Sequence, residues 1–298
     1  MLLIVGALAQ PRLAMAQAWV LPQGTGAVTL VGQQIDHLGR MFNDGTRVPV
    51  GKAMNFGVDV EFDYAFTDRW SISTSLPFIL SKFTDSAPPP PFLPFPTVDA
   101  CRCWQREFAD LGVSTRFNVV DINRQFVLTP FAAVTVPSHG YDYAGEAVVG
   151  RRLKEVKVGA FAGQRLDRLL SGVIVEGGYG YSFVERVLDV PNNRSNGTMQ
   201  VGFALPRGFS TRAIVNWQRT HGGLRFPDEV TVPEIPERLT EFHRMLRDNY
   251  LHTGVGLSYS RGGWDFSGSL LFTARGSNSH DVRVFSVTAG RLFEFGRR

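Results

Sequence analysis

The sequence predicts an all-β protein, a transmembrane antiparallel up-and-down β-barrel of about twelve strands. Three observations predict it. Apolar and polar residues alternate with a period of two, short and long connections alternate along the chain, and aromatic residues flank the short connections. Beyond the first residues, no segment approaches the roughly 18 to 20 apolar residues that a membrane-spanning helix needs. The prediction therefore rests on strands.

The first residues predict a secretory signal peptide. An apolar run over residues 2–9 is followed by the small residues Ala14 and Ala16. This order is typical of a signal peptide and its cleavage site. A buried N-terminal strand or helix is the alternative interpretation. We predict a signal peptide over residues 1–16 and a mature chain that begins at Gln17.

Residues 17–298 are predicted to form the barrel. Hydrophobic residues make up 44% of the sequence and aromatic residues 12%, with 23 Phe and 31 Gly. Aromatic rings suit a face turned to lipid, and small residues suit a narrow lumen. The formal net charge is +4, and it falls to +3 without residues 1–16 because Arg12 is the only charged residue there. That charge is too weak to predict nucleic acid as a partner.

The clearest strands lie in "MNFGVDVEFDYAFTDRWSISTSLPFIL", residues 54–80. Side chains on a strand point to opposite faces in turn, so this alternation predicts two strands with one apolar and one polar face each. Asp59, Glu61 and Asp63 share the polar face of the first strand. In a soluble sandwich the apolar face would form a core. In a barrel it would face lipid, and the three acidic residues would line the interior.

The same alternation recurs toward the C-terminus, in segments 110–119, 172–183, 198–205, 212–218, 251–259, 264–272 and 285–295. Three less regular segments are predicted to be strands mainly because their neighbours need partners: 26–37, 124–136 and 151–164. Together they give about twelve strands, an even number, as bacterial barrels have.

The connections favour a barrel over a sandwich. Short turns, such as "TDR", "VDINR", "LDRLL", "PRG" and "SRGG", alternate with longer connections over residues 38–53, 82–105, 137–150, 187–194, 221–249 and 275–280. This alternation is typical of short periplasmic turns and long extracellular loops. Greek-key connections give no reason for it. Aromatic residues beside the short turns predict a ring at the lipid headgroup level, or else the edge of a soluble core.

The lumen of such a barrel lies in size between small, filled barrels and wide, water-filled porins. Ten charged residues are predicted to line it: Asp59, Glu61, Asp63, Asp110, Arg116, Lys157, Glu176, Arg212, Asp265 and Glu294. Opposed acids and bases would create a field that selects small solutes. Alternatively, the charges only pair with one another and close the lumen.

Two loops and two cysteines complete the features of interest. Residues 85–97 are rich in proline and either constrict the pore or lie outside against lipopolysaccharide. Residues 233–249 allow a short helix from Glu237, which either caps the pore or is solvated. Cys101 and Cys103 are either incidental or a local disulfide, because the stretch has too few ligands for a metal site. No cofactor is predicted.

The sequence does not predict an enzyme. Ser138, His139 and four other histidines supply suitable residue types, but they lie at strand ends or in loops with no recognisable nucleophile spacing. Histidines in loops are expected to be solvated. No set of nucleophile, base and orienting residue follows from the pattern.

The segments "AQAWVLPQGTGAVTL", "FDYAFTDRWSISTSLPF", "LTPFAAVTVPSHGYDY" and "NNRSNGTMQVGF" resemble bacterial outer-membrane proteins grouped as transporters of the meta-cleavage pathway of phenol degradation. The resemblance implies a barrel in the outer membrane, in contact with its lipid and lipopolysaccharide. It also implies passage of small solutes, among them hydrophobic or aromatic compounds. The alternatives are a plugged barrel with a structural or adhesive role and, less favoured, a membrane-embedded lipid-modifying enzyme.

Overall fold

The computed structural model describes residues 17–86, 97–167, 171–225 and 241–295. The predicted signal peptide and most of the proline-rich segment lie outside these residues. No helix among the described residues is long and apolar enough to cross a membrane. The described residues form one antiparallel sheet that closes on itself, which confirms the predicted all-β barrel.

The sheet contains fifteen strand segments: β1 (Thr25–Met41), β2 (Arg47–Val48), β3 (Ala53–Thr67), β4 (Trp70–Phe83), β5 (Gln105–Phe108), β6 (Asp110–Phe117), β7 (Val120–Ile122), β8 (Phe126–Pro137), β9 (Glu155–Arg165), β10 (Val173–Val184), β11 (Asn192–Ala204), β12 (Phe209–Gly222), β13 (Asn249–Arg261), β14 (Trp264–Ser277) and β15 (Ser279–Glu294). Twelve of them form the circuit, and the short β2, β5 and β7 pair beside it. The circuit closes where β15 pairs with β1. Closure leaves no unpaired sheet edge toward lipid.

The two faces of each strand differ as the alternation predicts. On β3, Val60 and Phe62 are exposed on the outside, whereas Glu61 between them is half-buried. Near the short turns, Phe66 stacks on Trp70 with ring centroids 4.7 Å apart, and both rings are exposed. So large an apolar surface on a folded chain marks a contact with lipid. The outside is therefore the membrane-facing side.

The short turns and both ends of the described chain lie at one end of the barrel, which we call periplasmic; the other end is extracellular. One prediction about the connections is wrong. The connection between β14 and β15, expected to be long over residues 275–280, is the single residue Asn278. Asn278 has a φ of 53°, a left-handed conformation that asparagine tolerates better than most residues. The side-chain amide of Asn278 donates a hydrogen bond to Asn43 Oδ1 at 2.9 Å.

Candidate functional site

The barrel encloses a cavity of about 1060 Å³. Part of its wall carries hydroxyl groups, because the inward positions of β1, β4, β6, β8, β14 and β15 hold serine or threonine: Thr29, Ser73, Ser75, Ser114, Thr135, Ser267, Ser269, Ser286 and Thr288. Hydroxyl groups both donate and accept hydrogen bonds. This part of the wall can therefore hold water or polar solutes.

Another part of the wall carries two aromatic rings. Phe131 on β8 and Phe161 on β9 stack with ring centroids 4.7 Å apart, and both line the cavity. Glycines leave room for them: a Cβ atom on Gly159 would lie 2.7 Å from Phe131 Cε1, and one on Gly178 would meet the Phe161 ring. The rings can lie against the wall because these positions have no side chain. The cavity thus combines a polar wall with an aromatic one.

Six of the ten predicted charged residues line the cavity: Glu61, Asp63, Arg116, Lys157, Arg212 and Asp265. Two of the basic residues have acidic partners. Arg116 Nη2 lies 2.7 Å from Asp63 Oδ1, and Lys157 Nζ lies 3.5 Å from Glu155 Oε1 on its own strand. Pairing offsets part of the cost of placing these charges inside a barrel.

Glu61 and Arg212 have no hydrogen-bond or ion-pair partner among the described residues. The side chain of Arg212 lies along Gly256, where a Cβ atom would be 2.7 Å from the Arg212 Nε. Glu61 is on β3 and Arg212 on β12, and the strand order places these strands on nearly opposite sides of the barrel. A negative and a positive group therefore face the cavity from opposite walls.

The other four predicted residues do not line the cavity. Asp59 lies on the inward face of β3, nearer the extracellular end than Glu61. Asp110 accepts a hydrogen bond from the Tyr141 hydroxyl. Glu294 is exposed at the periplasmic end of β15. Glu176 lies on the inward face of β10, but the chain that precedes β1 covers it.

That preceding chain, residues 17–24 (the N-terminal segment), crosses the periplasmic end of the lumen. On one side Phe295 donates its N–H to the Gly24 carbonyl at 2.7 Å. On the opposite side, the Thr129 hydroxyl of β8 donates to the Ala18 carbonyl, and the Trp19 indole donates to the Arg124 carbonyl at 3.3 Å. Ala18 is completely buried. The segment therefore narrows this end.

The first described residue of the segment is held at both backbone groups. The N–H of Gln17 donates to Glu176 Oε1 at 3.0 Å, and Arg116 Nη1 donates to the Gln17 carbonyl at 3.2 Å. Glu176 is only 4% exposed. Sequence reasoning missed this arrangement because an irregular segment has no periodicity, and the two contacts of Gln17 are with residues 99 and 159 positions away.

The extracellular end is crossed by the connection between β8 and β9, residues 138–154 (loop 138–154). Its residue Glu146 is buried and reaches the opposite wall. Arg40 Nε of β1 donates to Glu146 Oε1 at 2.9 Å, and His280 Nε2 of β15 lies 2.8 Å from Glu146 Oε2. Burial alone would raise the pKa of Glu146, but the Arg40 guanidinium and His280 outweigh it and hold the pKa below its usual range.

Two other loops support loop 138–154. Asp99, in the loop after β4, accepts the N–H groups of Glu146 at 2.8 Å and Ala147 at 2.9 Å. The loop after β12 supplies a one-turn helix, Phe242–Met245, whose Met245 is completely buried. Burial lowers the pKa of His243 in this helix to about 4. The predicted helix start at Glu237 lies outside the described residues.

Two of the histidines that the sequence predicts to lie in solvated loops are not solvated. His280 faces inward on β15 and contacts Glu146, and His243 belongs to the buried helix. Of the two alternatives expected for the cysteines, the structure shows the local disulfide, which joins Cys101 and Cys103. No cluster of potential ligands that could hold a metal ion occurs in the described ranges.

A serine–histidine–glutamate chain is present at the extracellular end: Ser138 and His139 are among the residues singled out from the sequence, and Glu107 is the residue that the sequence pattern does not predict. Ser138 Oγ lies 2.9 Å from His139 Nδ1, and His139 Nε2 lies 2.9 Å from Glu107 Oε2. The Ser138 hydroxyl has one proton, and the Phe108 carbonyl at 3.2 Å competes with His139 for it, which weakens the contact that would activate a nucleophile. The ion pair is also largely exposed. This geometry gives little support to catalysis.

Comparison with known proteins shows the fold. No family model matches the chain, and no curated protein matches it. Among solved structures, an outer-membrane channel from Pseudomonas putida F1 is similar with a TM-score of 0.72 at 12% identity, covering 93% of this chain and 98% of that one. The translocator domain of the autotransporter NalP from Neisseria meningitidis gives 0.47 at 15% identity, over 92% and 90%. The CymD monoaromatic hydrocarbon channel gives 0.45 at 10% identity, over 93% and 90%.

The fold and the apolar outer surface place the protein in the bacterial outer membrane. Closed barrels with an apolar outside and a polar inside are the strand-built solution for spanning that membrane. The lumen with its two crossing segments is the candidate functional site.

Proposed function

We propose that the protein is a passive channel for small solutes across the outer membrane. The observation that carries the proposal is the cavity of about 1060 Å³, with polar and charged walls, inside a barrel whose outside is apolar. The similar structure from P. putida F1 is an outer-membrane channel, which supports the proposal. The cavity has room for small molecules and excludes folded partners.

Glu61 and Arg212, two charges without ion-pair partners on nearly opposite walls, define the selectivity that we expect. Glu61 attracts cations and Arg212 attracts anions, and their positions on opposite walls create a field across the path. A solute with separated positive and negative ends, or with a polar head and an aromatic ring, would match this lumen best. Phe131 and Phe161 supply the aromatic surface for such a ring. We therefore propose small aromatic compounds with a polar group as preferred solutes.

The alternative is a plugged barrel with a structural or adhesive role. The specific observation in its favour is that segments cross both ends of the lumen. Under the channel proposal, at least one of these segments moves or leaves a narrow path beside it. Under the alternative, neither does.

Planar-bilayer recording of the refolded protein separates the two proposals. We expect discrete channels for the wild type, and faster uptake of benzenesulfonate than of hexanesulfonate into proteoliposomes. Replacing Asp59, Glu61 and Asp63 by Asn, Gln and Asn should shift the reversal potential in a salt gradient toward anion selectivity. Glu294→Gln is the matched control, because this acid lies at the rim and not in the cavity.

The same measurements can also contradict the channel proposal. If the wild type neither conducts nor passes either sulfonate, and the triple variant differs only in stability, the barrel is plugged and the charges are structural. A shift of equal size in the Glu294→Gln control would show that the lumen acids have no special role.

A further inference from the structure

We propose that Glu176 is the binding site for the α-ammonium group of a chain cleaved after Ala16, and that this ion pair seats the N-terminal segment in the lumen. The proposal assigns a processing site and a receptor for its product. It does not depend on what the channel carries, or on whether it conducts.

The first step is the position of Gln17. Its backbone nitrogen lies 3.0 Å from Glu176 Oε1, and the N–H of Ala18 is near the same carboxylate. Arg116 holds the Gln17 carbonyl from the other side. The nitrogen of Gln17 is thus fixed at a carboxylate on β10, on the wall opposite the start of β1.

The second step is the carboxylate itself. Glu176 is 4% exposed. The charges of Arg116 and Arg212 act on it from a distance, but neither side chain forms an ion pair with it among the described residues, and Arg116 is paired with Asp63. A buried carboxylate without a positive group in direct contact is costly, and a neutral N–H donor offsets only part of that cost. A positive group at the Gln17 nitrogen would supply the missing partner.

The third step is the chemistry that creates this group. Water hydrolyses the peptide bond between Ala16 and Gln17: its hydroxyl joins the Ala16 carbonyl carbon, and one proton joins the Gln17 nitrogen. The freed amine takes a further proton from solvent and becomes an ammonium group, since an α-amino group ordinarily titrates near pH 8. The single amide donor is replaced by three charge-assisted donors at the same position.

The sequence before Gln17 supports the same cleavage site independently of these contacts. Ala14 and Ala16 form the small-residue pattern that precedes a signal-peptide cleavage site. The site read from that pattern falls at the nitrogen that the structure places on Glu176. From Gly24 to Gln17 an extended chain spans at most roughly 25 Å, enough for the new terminus to reach the opposite wall.

The test uses full-length protein exported by cells and extracted from the outer membrane. Intact-mass measurement and N-terminal sequencing should find a free amine at Gln17. Acetylation of that amine by an N-hydroxysuccinimide ester should be slow in the folded wild type. In Glu176→Gln, which keeps the shape and loses the charge, we expect acetylation about tenfold faster, because a charge-assisted bond is lost. Glu176→Asp should fall between the two.

Glu61→Gln is the matched control, because Glu61 is a lumen carboxylate that forms no hydrogen bond or ion pair with the N-terminal segment among the described residues. The acetylation rate of this variant should equal that of the wild type. Heat-modifiable gel migration shows whether each variant is folded, and Glu176→Asp keeps the test available if Glu176→Gln is not. A terminus other than Gln17, a cyclised pyroglutamate in the wild type, or equal acetylation rates in wild type and Glu176→Gln would overturn the proposal. Loss of conductance alone would bear on the channel function and not on this site.

Discussion

The two segments that cross the ends of the lumen are held by different kinds of interaction. Loop 138–154 is fixed at the extracellular end by charged side chains, with Glu146 between Arg40 and His280. The N-terminal segment is fixed at the periplasmic end mainly through backbone groups, with Glu176 as its acidic contact. Side-chain charges respond to pH, whereas backbone hydrogen bonds do not. We therefore expect acid to loosen the extracellular end through His243, in the buried helix of the loop after β12.

Removing Glu146 should have the largest effect. In Glu146→Ala the buried Arg40 loses its ion pair with this carboxylate, a change that typically costs about 3 kcal/mol or more at buried sites. We expect loop 138–154 to detach, so that single-channel conductance rises and the loop is cleaved faster by trypsin.

The control for that prediction is Glu107→Ala, which breaks the exposed pair with His139 at the same end. An exposed pair contributes at most about 1 kcal/mol. If both variants changed conductance and cleavage equally, loop 138–154 would not be held by its buried charges.

A steric change at the periplasmic end should have the next largest effect. A Cβ atom on Gly163 would clash with the Trp19 ring and lie 3.0 Å from Ala18 Cβ. Gly163→Ala should therefore displace the N-terminal segment while the barrel stays closed, and raise conductance without changing trypsin cleavage of loop 138–154. Gly177→Ala is the control, because its nearest atom would be the Thr198 carbonyl oxygen at an ordinary 3.7 Å. A rise of conductance in both variants would remove the link to Trp19.

The pH dependence of the extracellular end should be a smaller effect. The pKa of His243 is lowered from 6.5 to about 4 by burial, so its contribution to stability is full above pH 6.5 and is lost as the pH falls toward 4. Trypsin cleavage of the extracellular loops should accelerate over this window, and His243→Asn should remove the acceleration. His139→Gln, at an exposed position, should not. An unchanged pH profile in His243→Asn would assign the effect to another group.

The smallest effect is expected at Ser138. Its hydroxyl is exposed and donates to a backbone carbonyl, so Ser138→Ala should leave conductance unchanged, and the wild type should not react with a fluorophosphonate probe. Labelling of the wild type that disappears in Ser138→Ala would instead support the alternative of a lipid-modifying enzyme.

The comparison also shows what could be predicted from the sequence. Strand faces follow from a local period of two, so the placement of Glu61 and Arg212 on inward faces was readable from their neighbours. The positions of the two crossing segments could not be predicted, because their contacts join residues far apart in the chain. Arg40 and Glu146, for example, are separated by 106 positions. The prediction of a long loop before β15 is wrong because a single asparagine in a left-handed conformation can close a hairpin.

The central claim is that Glu61 and Arg212 face one open path from opposite walls. The most direct test is the reversal potential in a salt gradient, measured for Glu61→Gln and Arg212→Gln against the wild type. We predict shifts in opposite directions, toward anion selectivity for Glu61→Gln and toward cation selectivity for Arg212→Gln. Shifts in the same direction, or no shift in either variant of a conducting barrel, would contradict the account.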